Sequence, residues 1–528
     1  MASPSTWLDR AISWINPVAG ARRAQARLAM SALDGVAAVM PQARRRSASQ
    51  DGTLADWLPR RESLYEHDRS TTLSMIRAES LVANDGHAAS CIDSLALNIV
   101  GGGIRPQVYP DAQALGITEE DAQDFADSLE SAWAVWCAEA DISGRAHFHE
   151  IQYQNVHAML TVGEFLNIAR WDDRPGRTFG LTLEPLHPAR LRTPADMLTN
   201  PRIHQGVELG DFMRPTAYWI ANPPEGVPAD CLTSRHFIRV ERESGGRRIC
   251  FHNFRAKMPE AVRGQSILGP AVKQFRDLAD YVEYVLVGAL IESSLTAFVQ
   301  TPENPLSGGG LGGESATKSH GYPGRIQPGM FVQGKPGDDL KLLNTTRPGP
   351  NFSEFYERML RAAAAATGQP YEAVAKDFSK TTYSSARAAL LEVWKLHALF
   401  QDWFIAGYLS PLLGMVADEA WARGMLKMPA KAPALDASPL IRRAWLGTAW
   451  TRPPRGQIDP VKDRTAEQAG LDMLTETRTS ICHARGTDFD TTARTIAREE
   501  RLLKKLDIAK PQRAGAPAQQ EKDHEDND

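Results

Sequence analysis

The sequence predicts a multi-domain α+β fold, and three observations predict it. At 528 residues the chain is too long for one hydrophobic core, and about 150 residues per domain gives three or four units. Apolar residues recur at helical spacing on both sides of a middle region. That middle region reads instead as short alternating strands between Pro, Gly and Asn, so helices and strands are segregated along the chain.

The elements follow in order. Residues 1–60 are rich in Ala, Arg and Ser, with the basic patches GARRAQAR and PQARRR. They read as a flexible basic arm, either solvated or touching nucleic acid or another acidic surface. From Asp68, DRSTTLSMIRAESLVANDGHAASCIDSLALNIVG gives helical spacing through Leu73, Ile76 and Leu81, then Ala88, Ile92, Leu95 and Ile99. It stops at Gly101–Gly103. TEEDAQDFADSLESAWAVWCAEAD is a helix capped by Thr118, with acids in its first turn. Phe125, Leu129, Trp133 (or Ala132) and Trp136 share one face of it.

Between residues 163 and 250, EFLNIARW, FGLTLEPL, TAYWIA and HFIRVE read as strands. GPAVKQFRDLADYVEYVLVGALIESS returns to helix, with a stripe through Val272, Phe275, Leu278, Tyr281 or Val282, and Val285. Pro305–Leu340 is Gly/Pro-rich, an exposed excursion with at most short strands. Helix resumes at NFSEFYERMLRAAAAAT and breaks at Gly368–Pro370. It resumes again in TTYSSARAALLEVWKLHALFQDWF, Thr381–Phe404. There Ser384 or Ser385 is placed to cap the helix, which makes the hydroxyl knot structural before it is nucleophilic. Ala386, Ala389, Leu390, Val393, Leu396 or His397, Phe400 and Trp403 follow at helical spacing. The last residues are Pro/Ala/Gln-rich and then acidic, and read as a disordered tail.

Composition narrows the function. The net charge of −4 and pI of about 6.4 exclude whole-chain attraction to nucleic acid. Asp9 and Arg10 stand where a signal peptide needs an apolar block. The most apolar stretch, Tyr281–Val299, is interrupted by Glu283 and Glu292 and is too short for a bilayer. The expectation is a protein neither secreted nor membrane-spanning. The five scattered cysteines, with no CxxC pair, read as reduced and mostly buried thiols.

Catalytic motifs are approached and missed. HEIQY (His149–Tyr153) begins like a zinc helix but has Tyr where the second His ligand belongs, leaving His147, His149 and His157 as a weak metal candidate. GQSILG (Gly264–Gly269) is one residue too long for a nucleophile elbow around Ser266. GGESATKS (Gly312–Ser319) has Thr317 where a phosphate loop needs Gly, and its SATK has no companion motif. A soluble metal- or serine-dependent hydrolase built on these residues is the competing reading.

GQPYEAVAKDFSKTTYSSARAALLEVWK (Gly368–Lys395) resembles the signature of the lambda-type portal proteins of tailed bacteriophages, with Thr382 where the family usually has Asn. Cys91–Gln107, Ala132–Gly144, Val162–Arg170, Gly206–Ile220, Arg263–Val272 and Ile458–Asp490 are similar to family blocks in the same order. The resemblance implies a ring-forming portal fold and a homo-oligomer of about a dozen subunits at one capsid vertex, closing through a head-to-tail interface. Double-stranded DNA passes non-specifically through the channel of such a ring. The implied partners are the terminase large subunit, head-tail adaptor or connector proteins, and major capsid and scaffold proteins, with no membrane. The implied location is the virion, after assembly in the host bacterial cytoplasm. No active site and no cofactor is implied.

Placed on this chain, residues 1–60 are the arm, 61–265 the wing and 266–300 a stem helix. Residues 301–350 are the clip, 351–367 the returning stem helix, 368–404 the channel loop and the long helix behind it, 405–506 the crown and 507–528 the tail. Lys376, Asp377, Lys380, Thr381 and Thr382 are the candidates for facing DNA. Tyr383, Ser384, Ser385, Arg387, Asp459, Pro460 and Lys462 match family motifs and are expected to be structural. An acidic ring lets DNA slide, because each phosphate-neutralising cation strengthens binding.

Overall fold

The computed structural model describes residues 64–222, 232–294, 298–300, 339–341, 351–454 and 460–505. The basic arm, most of the clip with its GGESATKS segment, Asp459 and the acidic tail lie outside the described residues. The fold is α+β, as the segregation of helix and strand signals predicts.

Helix α1 (Leu64–Asn84) leads into α2 (Gly86–Val100), capped by Asp85, whose carboxylate accepts from Ala88 N at 2.7 Å. The expected stripe Ala88, Ile92, Leu95, Ile99 is the buried face of α2. In α1 the helix forms but the expected stripe holds only at Leu81, which packs against the core. Leu73 and Ile76 are 48% and 54% exposed, and Thr71, Met75 and Ala78 carry the inner face. Two overlapping i, i+4 rows compete there, and the one with smaller residues fits against the body.

Strand β1 (Arg105–Val108) pairs antiparallel with β13 (Thr448–Thr451), joining distant parts of the chain. Helix α3 (Glu119–Glu139) is capped by Thr118 and buries Phe125, Leu129, Ala132, Trp133 and Trp136, as its period predicts. Helix α4 (Phe148–Thr161) packs beside α2 and feeds β2.

Two small antiparallel sheets form the β region. One has the order β10 (Cys250–Phe254), β2 (Glu164–Trp171), β3 (Leu181–Leu186), with Ile168 opposite Cys250 and Glu184. The other runs β4 (Ile203–His204), β5 (Val207–Leu209), β6 (Pro215–Ala221), β7 (Phe237–Glu241). All four expected strand segments are found. A hairpin of β8 (Glu243–Ser244) and β9 (Arg247–Arg248) connects the sheets.

Helix α5 (Val272–Ser294) buries Phe275 and Leu278 in its first turns and then leaves the core. It packs on α6 (Phe352–Ala366), where Tyr281 stacks on Phe352 at 5.6 Å. Between them, β11 (Phe298–Gln300) and β12 (Asp339–Lys341) pair antiparallel, bracketing the Gly/Pro-rich excursion.

After the short helix α7 (Tyr371–Ala375), α8 (Tyr383–Phe404) continues through a π-helical turn, Ile405–Leu409, into α9 (Ser410–Ala422). The π turn has an identifiable cause. Pro411 has no N–H for the carbonyl of Gly407 four residues back, and Arg248 Nη1 donates to that carbonyl instead at 2.9 Å. Residues 404 and 405, where a boundary between long helix and crown is expected, thus lie inside one helical run. Phe404, Tyr408, Leu412 and Val416 join the same core as α2, α3 and α4. The chain then forms α10 (Pro439–Trp445), α11 (Pro460–Asp472), α12 (Arg478–Ala484) and α13 (Phe489–Lys505). No helix among the described residues is long and apolar enough to cross a membrane.

Candidate functional site

The segment between α6 and α8 holds most of the residues singled out by sequence. Its base is fixed by backbone geometry. Gly368 adopts φ +77°, and Gln369 N reaches back to Ala364 O at 3.2 Å, closing the end of α6. Gln369 is buried and donates through Nε2 to Cys91 O at 3.0 Å, and Thr367 accepts from the Cys91 thiol at 3.4 Å. Burial pushes that thiol up to about 11. It therefore stays protonated and structural.

Pro370 then starts α7, which buries Val374 and ends at Lys376 in the left-handed conformation, φ +56°. A non-glycine residue there costs about 1 kcal/mol. The strain is offset locally, because Lys376 Nζ hydrogen-bonds Ser94 Oγ on α2. Asp377 accepts from Ser379 N at 3.0 Å, and that bonding pulls its carboxyl below the usual range. Thr381 N donates to Phe378 O at 3.2 Å, closing a turn in which the Phe378 ring is 62% exposed.

Lys380 reaches Glu357 on α6 at 2.8 Å, and Arg361 holds the other side of the same carboxylate. The hydrogen bond between them raises the Lys380 ammonium and lowers Glu357. The Thr381 hydroxyl donates to Glu372 at 3.4 Å. Lys376, Asp377, Lys380, Thr381 and Thr382 are thus gathered in one surface segment, but both lysines are engaged by their own subunit.

The cap of α8 differs from expectation. Thr382, not Ser384 or Ser385, is the N-cap. Its Oγ1 accepts from Ser385 N at 3.4 Å while Ser385 Oγ accepts from Thr382 N at 3.0 Å, a reciprocal box. The helix starts earlier than its serines suggest, because Thr382 has the extended backbone that a cap requires, φ −83° and ψ 156°. The departure from the family pattern is therefore conservative, since Asn and Thr both cap. Ser384 is exposed, and Tyr383 is the first helical residue. Arg387 is exposed and pairs with no described residue. The buried stripe of α8 ends at Phe404 rather than Trp403, following Val393, His397 and Phe400. Pro460 opens α11, where its missing N–H costs nothing, and Lys462 is exposed on the same helix.

The catalytic candidates are separated. Ser266 is buried, accepting from Leu268 N at 3.1 Å within its own turn. His147 caps α4, and its ring lies 4.5 Å from that of His149. Burial, His147 and Arg105 push His149 down to about 4. His157 faces Asp93 instead, at 3.5 Å. No group of three or more His, Cys, Asp or Glu positioned for a metal occurs among the described residues.

A polar centre missed from sequence lies at the corner of the β region. Glu164 is fully buried and accepts from Arg263 Nε at 2.7 Å, from Arg263 Nη2, from Gly264 N at 3.0 Å and from His252 at 2.9 Å. Arg263 also donates to Leu191 O and Gln205 O, each at 2.8 Å, and to Pro188 O at 3.0 Å. Burial is the largest single influence on Glu164 and opposes its charge, but Arg263 and His252 together outweigh it and hold the carboxyl at about 2. Burial keeps His252 below its usual range, so it donates as a neutral ring. Gly163 and Gly264 are required here, since a Cβ on Gly163 meets Gln265 backbone at 2.4 Å and one on Gly264 meets Gly163 O at 2.0 Å. VGEF and RGQS supply its glycines and opposite charges, but neither stretch points to the other, and only the fold shows that RGQS closes a clasp rather than a nucleophile elbow.

The segments that resemble a family therefore meet in space. Val162–Arg170 joins Arg263–Val272 at this clasp, and Cys91–Gln107 joins Gly368–Lys395 through Gln369 and Cys91. Comparison with known proteins agrees. The chain is 25% identical over 460 residues to portal protein B of Escherichia phage lambda, covering 83% of this chain and 85% of that one. It is also 25% identical over 465 residues to the portal protein of Escherichia phage N15, covering 83% and 86%. A chain of a native gene transfer agent virion is loosely similar in structure, with 14% identity, coverage of 80% and 92%, and a TM-score of 0.40. The family model for phage portal proteins of the lambda family matches residues 50–401, and the chain belongs to that family.

Proposed function

We propose that the chain is the subunit of a portal ring, a closed homo-oligomer of about a dozen copies that forms the channel for packaging and releasing double-stranded DNA. The observation that carries this reading is the lambda-family match across residues 50–401. On this reading the ring sits at one capsid vertex of the virion after assembly in the host bacterial cytoplasm. It docks the terminase large subunit and then head-tail adaptor proteins on one side, and meets major capsid and scaffold proteins around its rim. The chain acts by holding and guiding, not by catalysis.

We read the parts of a ring subunit onto these elements. The two sheets with α1 to α4 form the wing, and α5 with α6 the stem. The segment bracketed by β11 and β12 forms the clip, and residues 405–506, from the π turn through α9 to α13, the crown. The segment from Gly368 to Thr382 faces the channel. Lys376 and Lys380 are already satisfied by Ser94 and Glu357, which leaves phosphates little to replace and suits a wall along which DNA slides.

Class-averaged electron micrographs of the purified full-length chain test the reading. Annular particles with a bore that admits a double helix are expected. A protein that stays monomeric at high concentration, or a ring with a closed centre, overturns it.

A further inference from the structure

Two exposed helix faces have complementary chemistry and no counterpart among the described residues of the subunit. On α8, Arg387, Leu391, Lys395, Leu399 and Trp403 repeat every fourth residue and form one exposed ridge. The opposite face is the buried row Val393, His397, Phe400, Phe404. Lys395 is neutralised by Glu392 at 2.9 Å, and Asp402, beside the ridge, is held by Arg452 at 2.6 Å. Arg255 lies over Trp403 at 5.0 Å. Arg387 pairs with no described residue.

The second face is the part of α5 beyond Tyr281. Earlier on this helix the charges pair among themselves, Lys273 with Asp277 at 2.6 Å and Arg276 with Asp280 at 2.9 Å. Beyond them Val282, Tyr284, Leu286 and Val287 are exposed, Tyr284 by 72%. The one charge between Tyr281 and Ile291 is Glu283, which pairs with no described residue. Contiguous apolar surface of this kind marks an interface. Within the subunit α5 leans on α6 and α8 on α2, so neither face covers the other.

We propose that the two faces meet between neighbouring copies, the α8 ridge of one subunit seating on the Val282–Val287 stretch of α5 of the next, with Arg387 opposite Glu283. The proposal rests on the ring reading above and specifies its contact. Arg387 and Glu283 are opposite charges set among these apolar residues, and neither pairs with a described residue. A ridge of i, i+4 residues fits the groove of a second helix. Two different faces give the head-to-tail contact that closes by rotation. A charge buried without its partner is strongly unfavourable, so the pair fixes register as well as attraction.

Native mass spectrometry of the full-length chain tests it. Arg387→Glu and Glu283→Arg, each alone, are expected to lose most of the ring population while keeping the wild-type thermal transition. The double variant Glu283→Arg/Arg387→Glu is expected to recover rings. A chain carrying Tyr284→Cys and Leu391→Cys is expected to form intermolecular disulfide ladders, absent from either single variant. Single reversals that still form rings, or folded singles that the double does not rescue, overturn the contact while leaving the ring intact. A wild-type chain that forms no ring overturns the ring reading and this contact together.

Discussion

Arg263 encloses Glu164 so completely that the carboxylate, with no exposed surface, is held by the Nε–Nη2 edge of the guanidinium and by the backbone amide of Gly264. Removing one partner strands a buried charge. Arg263→Met is expected to cost about 3–5 kcal/mol, read from the denaturant midpoint at an unchanged slope. Gly163→Ala and Gly264→Ala are expected to be as damaging, because their Cβ atoms enter main-chain atoms that have nowhere to move.

The same pair sets an acid limit. The Glu164 carboxyl titrates near 2 in the folded chain against an ordinary value of 4.5. A depressed carboxyl stabilises the fold above its unfolded pKa, and that contribution, on the order of 3 kcal/mol, is lost as pH falls from about 4.5 toward 2. Unfolding midpoints measured down this range should drop steeply in the wild type. Replacing Glu164, His252 and Arg263 together by apolar residues should flatten the curve.

Glu130 behaves oppositely. Burial first, with Asp488, Asp127 and Asp490 nearby, pushes it up to about 7, and Val108 N donates to it at 2.8 Å. A raised carboxyl penalises the folded state once ionised. Stability is therefore lost as pH rises from about 4.5 to 7 and stays lost above. Glu130→Gln keeps an acceptor for Val108 and removes the charge. It is expected to raise the melting temperature at pH 8 and leave it nearly unchanged at pH 4.5.

At the start of α8, Thr382→Ala is expected to cost about 1 kcal/mol, and Thr382→Asn, the residue usual in the family, close to nothing. Hydrogen exchange of the amides of residues 383–386 reads this directly, since Thr382→Ala releases the Ser385 amide.

The tether between Lys380 and Glu357 is exposed, so Lys380→Ala is expected to leave global stability nearly unchanged. Exchange in residues 376–381 should nevertheless rise, because that contact ties the turn to α6. An unchanged exchange pattern would show that the turn is held by Gln369 and Lys376 alone.

Much of this was legible in the sequence where one period had one solution. Helix α3, with Thr118 and its four aromatic and leucine anchors, and the four strand segments of the β region were of that kind. Reading failed where two patterns competed, as in α1, or where local chemistry admitted several caps, as at Thr382. The Glu164 clasp was illegible for a different reason. Its partners are about 100 residues apart, and nothing in local spacing says that a glutamate in a strand and an arginine in a loop will share one dry corner. The π turn at residues 405–409 was hidden because it involves a distant partner, Arg248 of the β8–β9 hairpin, which takes the Gly407 carbonyl that Pro411 cannot bond.

That continuity gives the molecule a mechanical element. From Tyr383 to Ala422 the backbone forms one unbroken strut, roughly 60 Å long at 1.5 Å per residue. One end begins at the box of Thr382 and Ser385. Near the other, Glu419 accepts from Gly180 N at 2.6 Å and Leu181 N at 2.9 Å, at the start of β3. A push on the turn before Thr382 is therefore delivered to the edge of a β-sheet, along a run whose one departure from α-helical geometry is the widened turn around Gly407.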